Sequence, residues 1–455
     1  NGMSARPVTP PEQAWCGCHY GWVMLVAMFL ITAASSSGHS FSLAPFVDGW
    51  MEEMQISRHT FSAMWTVTMT ISCLAAPVSG QIIDCYGSRR VLFACIPVSV
   101  ASLIWMGLAS NPVELVVPVT INRLVNADAY PLLGTVALNR WFVKRRGKAS
   151  MVLGLVWAWI LEFPGIELEL KERLGTRGAY FAIAAHAGVL ALLAGTLWRD
   201  TPESMKLLPD LAKGGNDEEL EKLEAEGLGS PSPGGSGAFP VAVEEVAFDR
   251  RQASQTMIFW AIVLMQGAQN TLWQACHLHL LDMLALKGVA DAGAGDFYFS
   301  VAVARTAVTL LAGVSLIDWL GQRSYLLLII AAVPELLVTL LLNGYIGPQV
   351  WHRGMASVLG AIYGTWGGIN SSANNVVFAQ IFGRQHIGSI SGLGLGAMRV
   401  SGAVGPLLFG VTRDWTGSYE LALDAFMLLS ILAGVLLWLA PIPMLTLKQM
   451  GEPVV

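Results

Sequence analysis

The sequence predicts an all-α membrane protein in which twelve transmembrane helices form two six-helix pseudo-repeat halves. Three observations support this prediction: an apolar composition, a regular series of long apolar runs, and a loop motif that occurs twice. Of the 455 residues, 54% are hydrophobic and 13% are charged. Soluble domains have about 25% charged residues. The mean hydropathy of +0.55 agrees with this contrast, so water cannot be the only solvent of this chain.

The apolar runs have the length that a bilayer requires, which is about 20 residues for a helix. Charged residues, glycines and prolines separate these runs from one another. We expect spans near 19–46, 60–83, 91–109, 113–138, 150–170, 178–198, 255–285, 297–317, 324–343, 354–381, 388–411 and 419–441.

One segment between the sixth and seventh runs differs from the rest of the chain. It contains the charged stretch DEELEKLEAEG and the stretch GLGSPSPGGSG, which has the composition of a flexible linker. This break leaves six runs on each side. We therefore expect a cytoplasmic N-terminal segment, a first bundle, a cytoplasmic linker, a second bundle and a cytoplasmic tail, at 1–18, 19–198, 199–252, 253–441 and 442–455.

The loop charges predict the orientation. If the N-terminus is inside and the spans alternate, most Lys and Arg residues fall in the inner loops, as the positive-inside rule requires. We therefore expect a multi-pass protein of the plasma membrane with both termini on the cytoplasmic side. The first apolar run lacks the features of a signal peptide and is expected to remain as a span.

A loop motif occurs at equivalent places in the two halves. GQIIDCYGSRR ends the second run and GVSLIDWLGQR ends the eighth, and both contain D-x-x-G-x-R. Glycine permits a tight turn, aspartate can accept hydrogen bonds from a helix N-terminus, and arginine can pair with acidic groups. We predict that these loops gate two conformations, against the alternative of an ordinary charged turn. The predicted gating residues are Gly80, Asp84, Gly87, Arg89, Arg90, Asp318, Gly321 and Arg323.

The first copy of this motif resembles the loop 2–3 signature of the major facilitator superfamily. Four further stretches, NRWFVKRRGKAS, RDTPESMKLLPD, FGRQHIGSISG and GPLLFGVTRDWTGSY, together resemble its monocarboxylate transporter and oxalate–formate antiporter branch. The resemblance covers nearly the whole chain outside the termini and the linker. It implies a secondary transporter with a site near the middle of the membrane, between the two halves.

Three of the 27 Lys and Arg residues fall inside predicted spans: Arg123, Arg305 and Arg399. Placing arginine at the centre of a membrane helix costs about 2.5–3.5 kcal/mol on insertion scales, so these side chains must face protein or water. A guanidinium binds carboxylate oxygens two at a time. We predict that the three arginines bind an anionic substrate, and the resemblance implies that Arg305 and Arg399 face the central cavity. The alternative is a structural ion pair with a buried carboxylate, for which Asp128, Glu162 and Glu335 are available.

Further candidates lie in the same spans. Tyr363, Trp366 and Asn370 occupy the tenth run and are candidate substrate contacts. The candidates for proton transfer or coupling are His279, Glu162 and Asp128. Histidine titrates near neutral pH, and burial raises the pKa of a carboxyl group. For each of them a hydrogen-bonded structural role is the alternative.

Other classes of function have no support in the sequence. No phosphate-binding loop follows a strand, no nucleophile–base pair is recognisable, and the six cysteines lack metal-ligand spacing. We therefore expect neither an enzyme nor a metal or other cofactor, and no basic patch predicts nucleic-acid binding. The expected partners are a small carboxylate, a proton or counter-anion, and the lipid bilayer.

The resulting prediction is a secondary active transporter of small mono- or dicarboxylates that works by alternating access, coupled either to protons or to anion exchange. One alternative is a transporter of a neutral or zwitterionic solute in which the arginines are structural. Another is a receptor-like protein that keeps the fold without transport.

Overall fold

The computed structural model describes residues 20–56, 58–143, 145–205, 248–289, 291–312, 316–348 and 350–443. Several expectations fall outside these residues. They concern the N-terminal segment, most of the central linker and of the C-terminal tail, and the side chain of Glu162.

The N-terminal half consists of six long helices, α1 to α6. They are α1 (Gly21–Ala34, Ser35–Gly38 and Ser40–Glu53), α2 (Arg58–Tyr86), α3 (Ser88–Leu108), α4 (Pro112–Asn122, Arg123–Ala129 and Tyr130–Trp141), and α5 and α6, which share Arg146–Leu197. Gly175 separates α5 from α6, because its φ of 70° and ψ of 172° interrupt the helix.

The C-terminal half contains the next six helices. They are α7 (Met257–Leu286), α8 (Asp291–Leu311, continued by Ile317–Leu320), α9 (Leu326–Asn343), α10 (Arg353–Asn374 and Val377–Phe382), α11 (Ile387–Thr416) and α12 (Glu420–Leu439). The prediction of twelve helices in two halves is therefore confirmed for the described part of the chain.

Seven helical stretches in the described residues are long and apolar enough to span a bilayer, by length and composition. They are Gly21–Gly38, Met64–Tyr86, Ser88–Leu108, Phe163–Leu197, Ile317–Asn343, Ile387–Thr416 and Glu420–Leu439. The helices α4, α7, α8 and α10 are not in this set because they carry polar residues near their middle, such as Asp128 in α4, Gln269 in α7 and Arg305 in α8. These more polar helices supply much of the candidate site.

Two irregular turns meet inside the N-terminal half. Ser35–Gly38 of α1 is a 3₁₀ turn, and Arg123–Ala129 of α4 is a π-helical turn. A Cβ atom on Gly38 would lie 2.5 Å from the backbone nitrogen of Ala127, so only glycine permits this approach. Single π-helical turns inside α-helices occur frequently at functional sites.

In the C-terminal half, α8 and α10 pack backbone against backbone through glycines four residues apart. A Cβ atom on Gly360 would lie 2.4 Å from the carbonyl oxygen of Phe297, and one on Gly364 would lie 2.5 Å from that of Val301. Small residues at this spacing let membrane helices approach closely. The packing also sets the position of Arg305, one turn beyond Val301 on α8.

Replacing Gly364 by valine is expected to lower the apparent melting temperature in detergent by about 5 °C, because overpacking costs about 1–3 kcal/mol. The matched control is Gly165→Val in α5, since a Cβ atom there would have nothing within 4 Å. Thermal unfolding followed by tryptophan fluorescence measures both variants. Equal melting temperatures for the two would contradict the α8–α10 packing.

Candidate substrate site

The three intramembrane arginines come from three helices in both halves. Arg123 begins the π-helical turn of α4, Arg305 lies in α8, and Arg399 lies near the middle of α11. Arg123 and Arg305 are buried, with 4% and 8% of their surface exposed. The side chain of Arg399 is 19% exposed.

Arg399 forms an ion pair with a carboxylate of the other half. Its Nη2 atom lies 2.7 Å from Oδ1 of Asp128, and Nη2 also donates to the carbonyl oxygen of Ala127 at 3.1 Å. The second carboxylate oxygen of Asp128 accepts a hydrogen bond from the hydroxyl of Ser72 in α2. The structural alternative thus has a defined partner for Arg399, and that partner is Asp128.

Arg123 has polar and aromatic neighbours. Its Nη1 atom donates to the carbonyl oxygen of Gly38 at 3.3 Å, and its guanidinium lies 5.5 Å from the ring centre of Trp65. Asp128 pairs with Arg399, and within the described residues no carboxylate lies at ion-pair distance from Arg123.

Arg305 lies between two indole rings. Its guanidinium carbon is 5.0 Å from the ring centre of Trp157 in α5 and 5.7 Å from that of Trp273 in α7. Its Nε atom is buried without a hydrogen-bond partner, and in the described part of the chain no carboxylate is within ion-pair distance. We call Arg305, Trp157 and Trp273 the arginine clamp.

The predicted contacts on α10 surround one side of this clamp. The ring of Tyr363 stacks on Trp273 at 4.2 Å, and its hydroxyl donates to the backbone oxygen of Trp273 at 2.8 Å. Trp366 packs edge-on against Trp273 at 5.3 Å. Both residues are fully buried, whereas Asn370 is partly exposed and its Oδ1 has no hydrogen-bond partner among the described residues. Tyr363 and Trp366 thus support the clamp from behind.

The balance of charge favours an anion. Three guanidinium groups share one described carboxylate, that of Asp128. A cation–π contact is worth about 0.5–2 kcal/mol, whereas removing an ion from water costs several kcal/mol even after relaxation. The two indole rings therefore offset only part of the desolvation cost of Arg305. A bound carboxylate would supply the missing counter-charge and two hydrogen-bond acceptors.

The coupling candidates lie in different places. His279 joins α7 to α11, with Nε2 3.0 Å from the carbonyl oxygen of Pro406 and Nδ1 3.3 Å from the Tyr419 hydroxyl. Asp128 lies in the arginine cluster, and the side chain of Glu162 is outside the described residues. Glu335, one of the carboxylates that were available to the arginines, lies instead between α9 and α12. Its carboxylate accepts a hydrogen bond from the Ser430 hydroxyl at 2.5 Å.

The first predicted gating loop contacts the opposite half. One carboxylate oxygen of Asp84 accepts from the backbone nitrogen of Gly388 at 3.1 Å, and the other accepts from the backbone nitrogen of Ser389 at 2.6 Å. These nitrogens belong to the first turn of α11, where the helix dipole favours an anion. Arg140 of α4 completes the site with an ion pair of 2.9 Å to Asp84.

The second predicted gating loop belongs to the C-terminal half and makes the equivalent contact with the N-terminal half. Asp318 accepts a hydrogen bond of 2.6 Å from the backbone nitrogen of Gly147, in the first turn of α5. Gly87 and Gly321 have φ values of +86° and +52°, which require glycine at both turns. The side chains of Arg89, Arg90 and Arg323 are exposed. We call the end of the bundle that holds these two loops the latch end.

Close packing of α2 on α11 accompanies the first loop. A Cβ atom on Gly80 would lie 2.1 Å from the carbonyl oxygen of Gly388. Further bonds join the halves nearby: Asn139 donates to the backbone oxygen of Asn375 at 2.7 Å, and Arg384 donates to that of Arg140 at 3.1 Å. The two halves are therefore in contact at the latch end.

Sequence reasoning missed several residues of these sites. Asp200 accepts from the backbone nitrogen of Arg89 at 2.7 Å and so caps α3. The stretch RDTPES that contains Asp200 was recognisable only as a resemblance. Ser72 and Arg140 had no signal, because their partners are 56 residues away in each case. Trp157 and Trp273 could not be singled out, because tryptophan is a common packing residue in membrane helices.

The fold and the site together define the class of protein. Two six-helix halves enclose the charged side chains of Arg123, Arg305 and Arg399 between them, an arrangement typical of a secondary transporter. A family model described as Major Facilitator Superfamily matches residues 24–406, and the chain belongs to this superfamily. The chain is accordingly an integral, multi-pass membrane transporter.

Two curated relatives are similar over most of their length. Human monocarboxylate transporter 11 is 24% identical over 438 residues, which is 92% of this chain and 81% of the relative. The mouse protein of the same name is 24% identical over 436 residues, covering 92% of this chain and 86% of the relative.

Two solved structures share the fold. The human organic anion transporter MFSD10 (TETRAN) aligns with a TM-score of 0.64 and 15% identity, over 94% of this chain and 100% of that chain. The proton:xylose symporter XylE, bound to 6-bromo-6-deoxy-D-glucose, aligns with a TM-score of 0.65 and 14% identity, over 92% and 95%.

Proposed function

We propose that this protein is a secondary active transporter of small organic anions, mono- or dicarboxylates, that works by alternating access. One observation carries the proposal: the guanidinium of Arg305 is buried between two indole rings with no carboxylate partner in the described residues. The names of two similar proteins, a monocarboxylate transporter and an organic anion transporter, support the same substrate class.

In this proposal the substrate carboxylate binds to Arg305 and Arg399, with Arg123 adding positive charge. Trp157 and Trp273 hold the plane of the Arg305 guanidinium, while Tyr363, Trp366 and Asn370 shape the side of the site that α10 contributes. Coupling is either to protons, with His279, Glu162 and Asp128 as the candidate groups, or to a counter-anion.

The gating roles belong to the same proposal. Asp84 and Asp318 each bind the first turn of a helix in the other half, so the two loops stabilise the state in which the latch end is closed. We place the latch end, both termini and the 199–252 linker at the cytoplasmic face, and the protein in the plasma membrane. The excess of Lys and Arg in these loops supports this orientation.

The second candidate function is transport of a neutral or zwitterionic solute. The ion pair between Arg399 and Asp128 favours it, because that arginine already has a counter-charge. Arg305 does not share this property in the described structure.

Uptake into proteoliposomes decides between the two. Lactate, pyruvate, formate and oxalate are compared with lactamide, the neutral analogue of lactate, and with the zwitterion alanine. We expect uptake of acids and at least about 100-fold slower uptake of lactamide, because a neutral ligand leaves the guanidinium uncompensated. Uptake of lactamide or alanine without uptake of any acid would establish the second candidate.

A further inference from the structure

The ion pair between Arg399 and Asp128 connects the two halves of the protein. Asp128 belongs to α4 and Arg399 to α11. The side chain of Asp128 is only 2% exposed, and Ser72 of α2 donates to its second oxygen. A carboxylate buried in this way needs a cation beside it.

The position of Arg399 on α11 ties this pair to the contact between α2 and α11. Gly388, Gly392 and Gly396 approach the α2 backbone, and Arg399 follows on the same side of α11, three residues after Gly396. Opening the latch end requires α2 and α11 to separate. That movement withdraws Arg399 from Asp128 and leaves the guanidinium without a counter-charge unless another anion binds to it.

A second cation is available to Asp128 within its own half. Arg123 is the first residue of the π-helical turn and Asp128 is its last but one, and the two charges interact electrostatically. Residues five positions apart are in register on a π-helix, as i→i+5 hydrogen bonding implies. Asp128 can therefore pass from Arg399 to Arg123 without leaving its helix.

We propose that Asp128 neutralises Arg399 in the empty transporter, and that a substrate carboxylate must replace Asp128 before the halves can change orientation. The inference rests on the proposed function, and it selects exchange of carboxylates over proton-coupled net transport. A loaded transporter reorients with Arg399 bound to substrate and Asp128 bound to Arg123. An empty transporter remains locked by the Arg399–Asp128 pair.

The test compares exchange with net flux in proteoliposomes that contain the full-length protein. Vesicles loaded with labelled lactate are diluted into buffer with or without external lactate. For the wild type, we expect efflux into lactate to be about 100-fold faster than efflux into buffer, because breaking a buried ion pair without a replacement is strongly unfavourable.

The variant Asp128→Asn removes the lock while keeping the size of the side chain. We expect its net efflux to rise until the ratio of exchange to net efflux is close to one. Asp128→Glu keeps the charge and is expected to retain a large ratio. If Asp128→Asn does not fold, Ser72→Ala weakens the position of the carboxylate and is expected to reduce the ratio at least about threefold.

The outcomes separate the two proposals. If no carboxylate moves in either assay, the proposed function fails. If carboxylates move and wild-type net flux equals exchange, with or without a pH gradient, the exchange lock is wrong and the proposed function stands. An unchanged ratio in a folded Asp128→Asn variant would overturn the role of Asp128.

Discussion

Replacing Arg305 by glutamine is expected to lower the initial rate of carboxylate uptake at least about 100-fold while the protein remains folded. The buried guanidinium lies between Trp157 and Trp273 and has no described carboxylate partner, so its removal leaves no unpaired charge behind. Loss of a charge-assisted pair to the substrate accounts for the effect, since each 1.4 kcal/mol is a factor of ten. Uptake in proteoliposomes and thermal unfolding are measured on the same preparation.

The control for this experiment is Arg413→Gln. Arg413 lies at the end of α11, where it pairs with Asp282 at 2.8 Å on an exposed surface. Exposed pairs contribute about 0–1 kcal/mol, so this variant should transport within about twofold of the wild type. Arg305→Lys keeps the charge but loses the planar fork, and we expect an intermediate rate. Full transport by folded Arg305→Gln would make Arg305 a structural residue.

The second large effect is expected from Asp84→Asn at the latch end. The carboxylate bonds the first turn of α11 and pairs with Arg140, and both side chains of the pair are about 10% exposed or less. Each hydrogen bond to a charged group contributes about 1.5–3 kcal/mol. Arg140 belongs to the same half as Asp84, whereas the bonds from Gly388 and Ser389 join the two halves, so their loss falls on the state with a closed latch end. The population with an open latch end should rise about 100-fold or more.

Cys73 reports the separation of α2 from α11. It belongs to α2, and its carbonyl oxygen lies close to Gly396 of α11. In a variant with Cys73 as its single cysteine, we expect a membrane-impermeant maleimide applied at the latch end to label Asp84→Asn faster than its parent. Arg413→Gln is the control, since Arg413 lies at the far end of α11 from the latch end and its pair with Asp282 is on the surface. Equal labelling of all three proteins would contradict a gating role for Asp84.

The helices and the glycine turns of the two repeated loops could be predicted from local sequence. Each helix follows from about 20 apolar residues, and each turn from a glycine with a positive φ, such as Gly87. The rule that a charge inside a membrane must face protein or water selected Arg123, Arg305 and Arg399 as candidates, and the structure shows Arg123 and Arg305 buried in protein. These features depend on the solvent and on neighbouring residues in the chain.

The partners of those charges could not be predicted in the same way. An α-helical pattern places Arg123 and Asp128 five residues apart and out of register. The π-helical turn changes this geometry, yet Asp128 pairs with Arg399 from the other half. The partner of Asp84 was equally hidden, because Arg140 and the first turn of α11 meet it only after the helices have packed.

The sequence by itself determined the number of helices, their division into two halves and which arginines fall inside the helices. Hydropathy, turn chemistry and the cost of a buried charge act locally and can be evaluated along the chain. Only the tertiary structure decided which arginine has a carboxylate partner among the described residues. Asp128 neutralises Arg399, whereas Arg305 lies between Trp157 and Trp273, because helix packing sets those distances between residues remote in sequence.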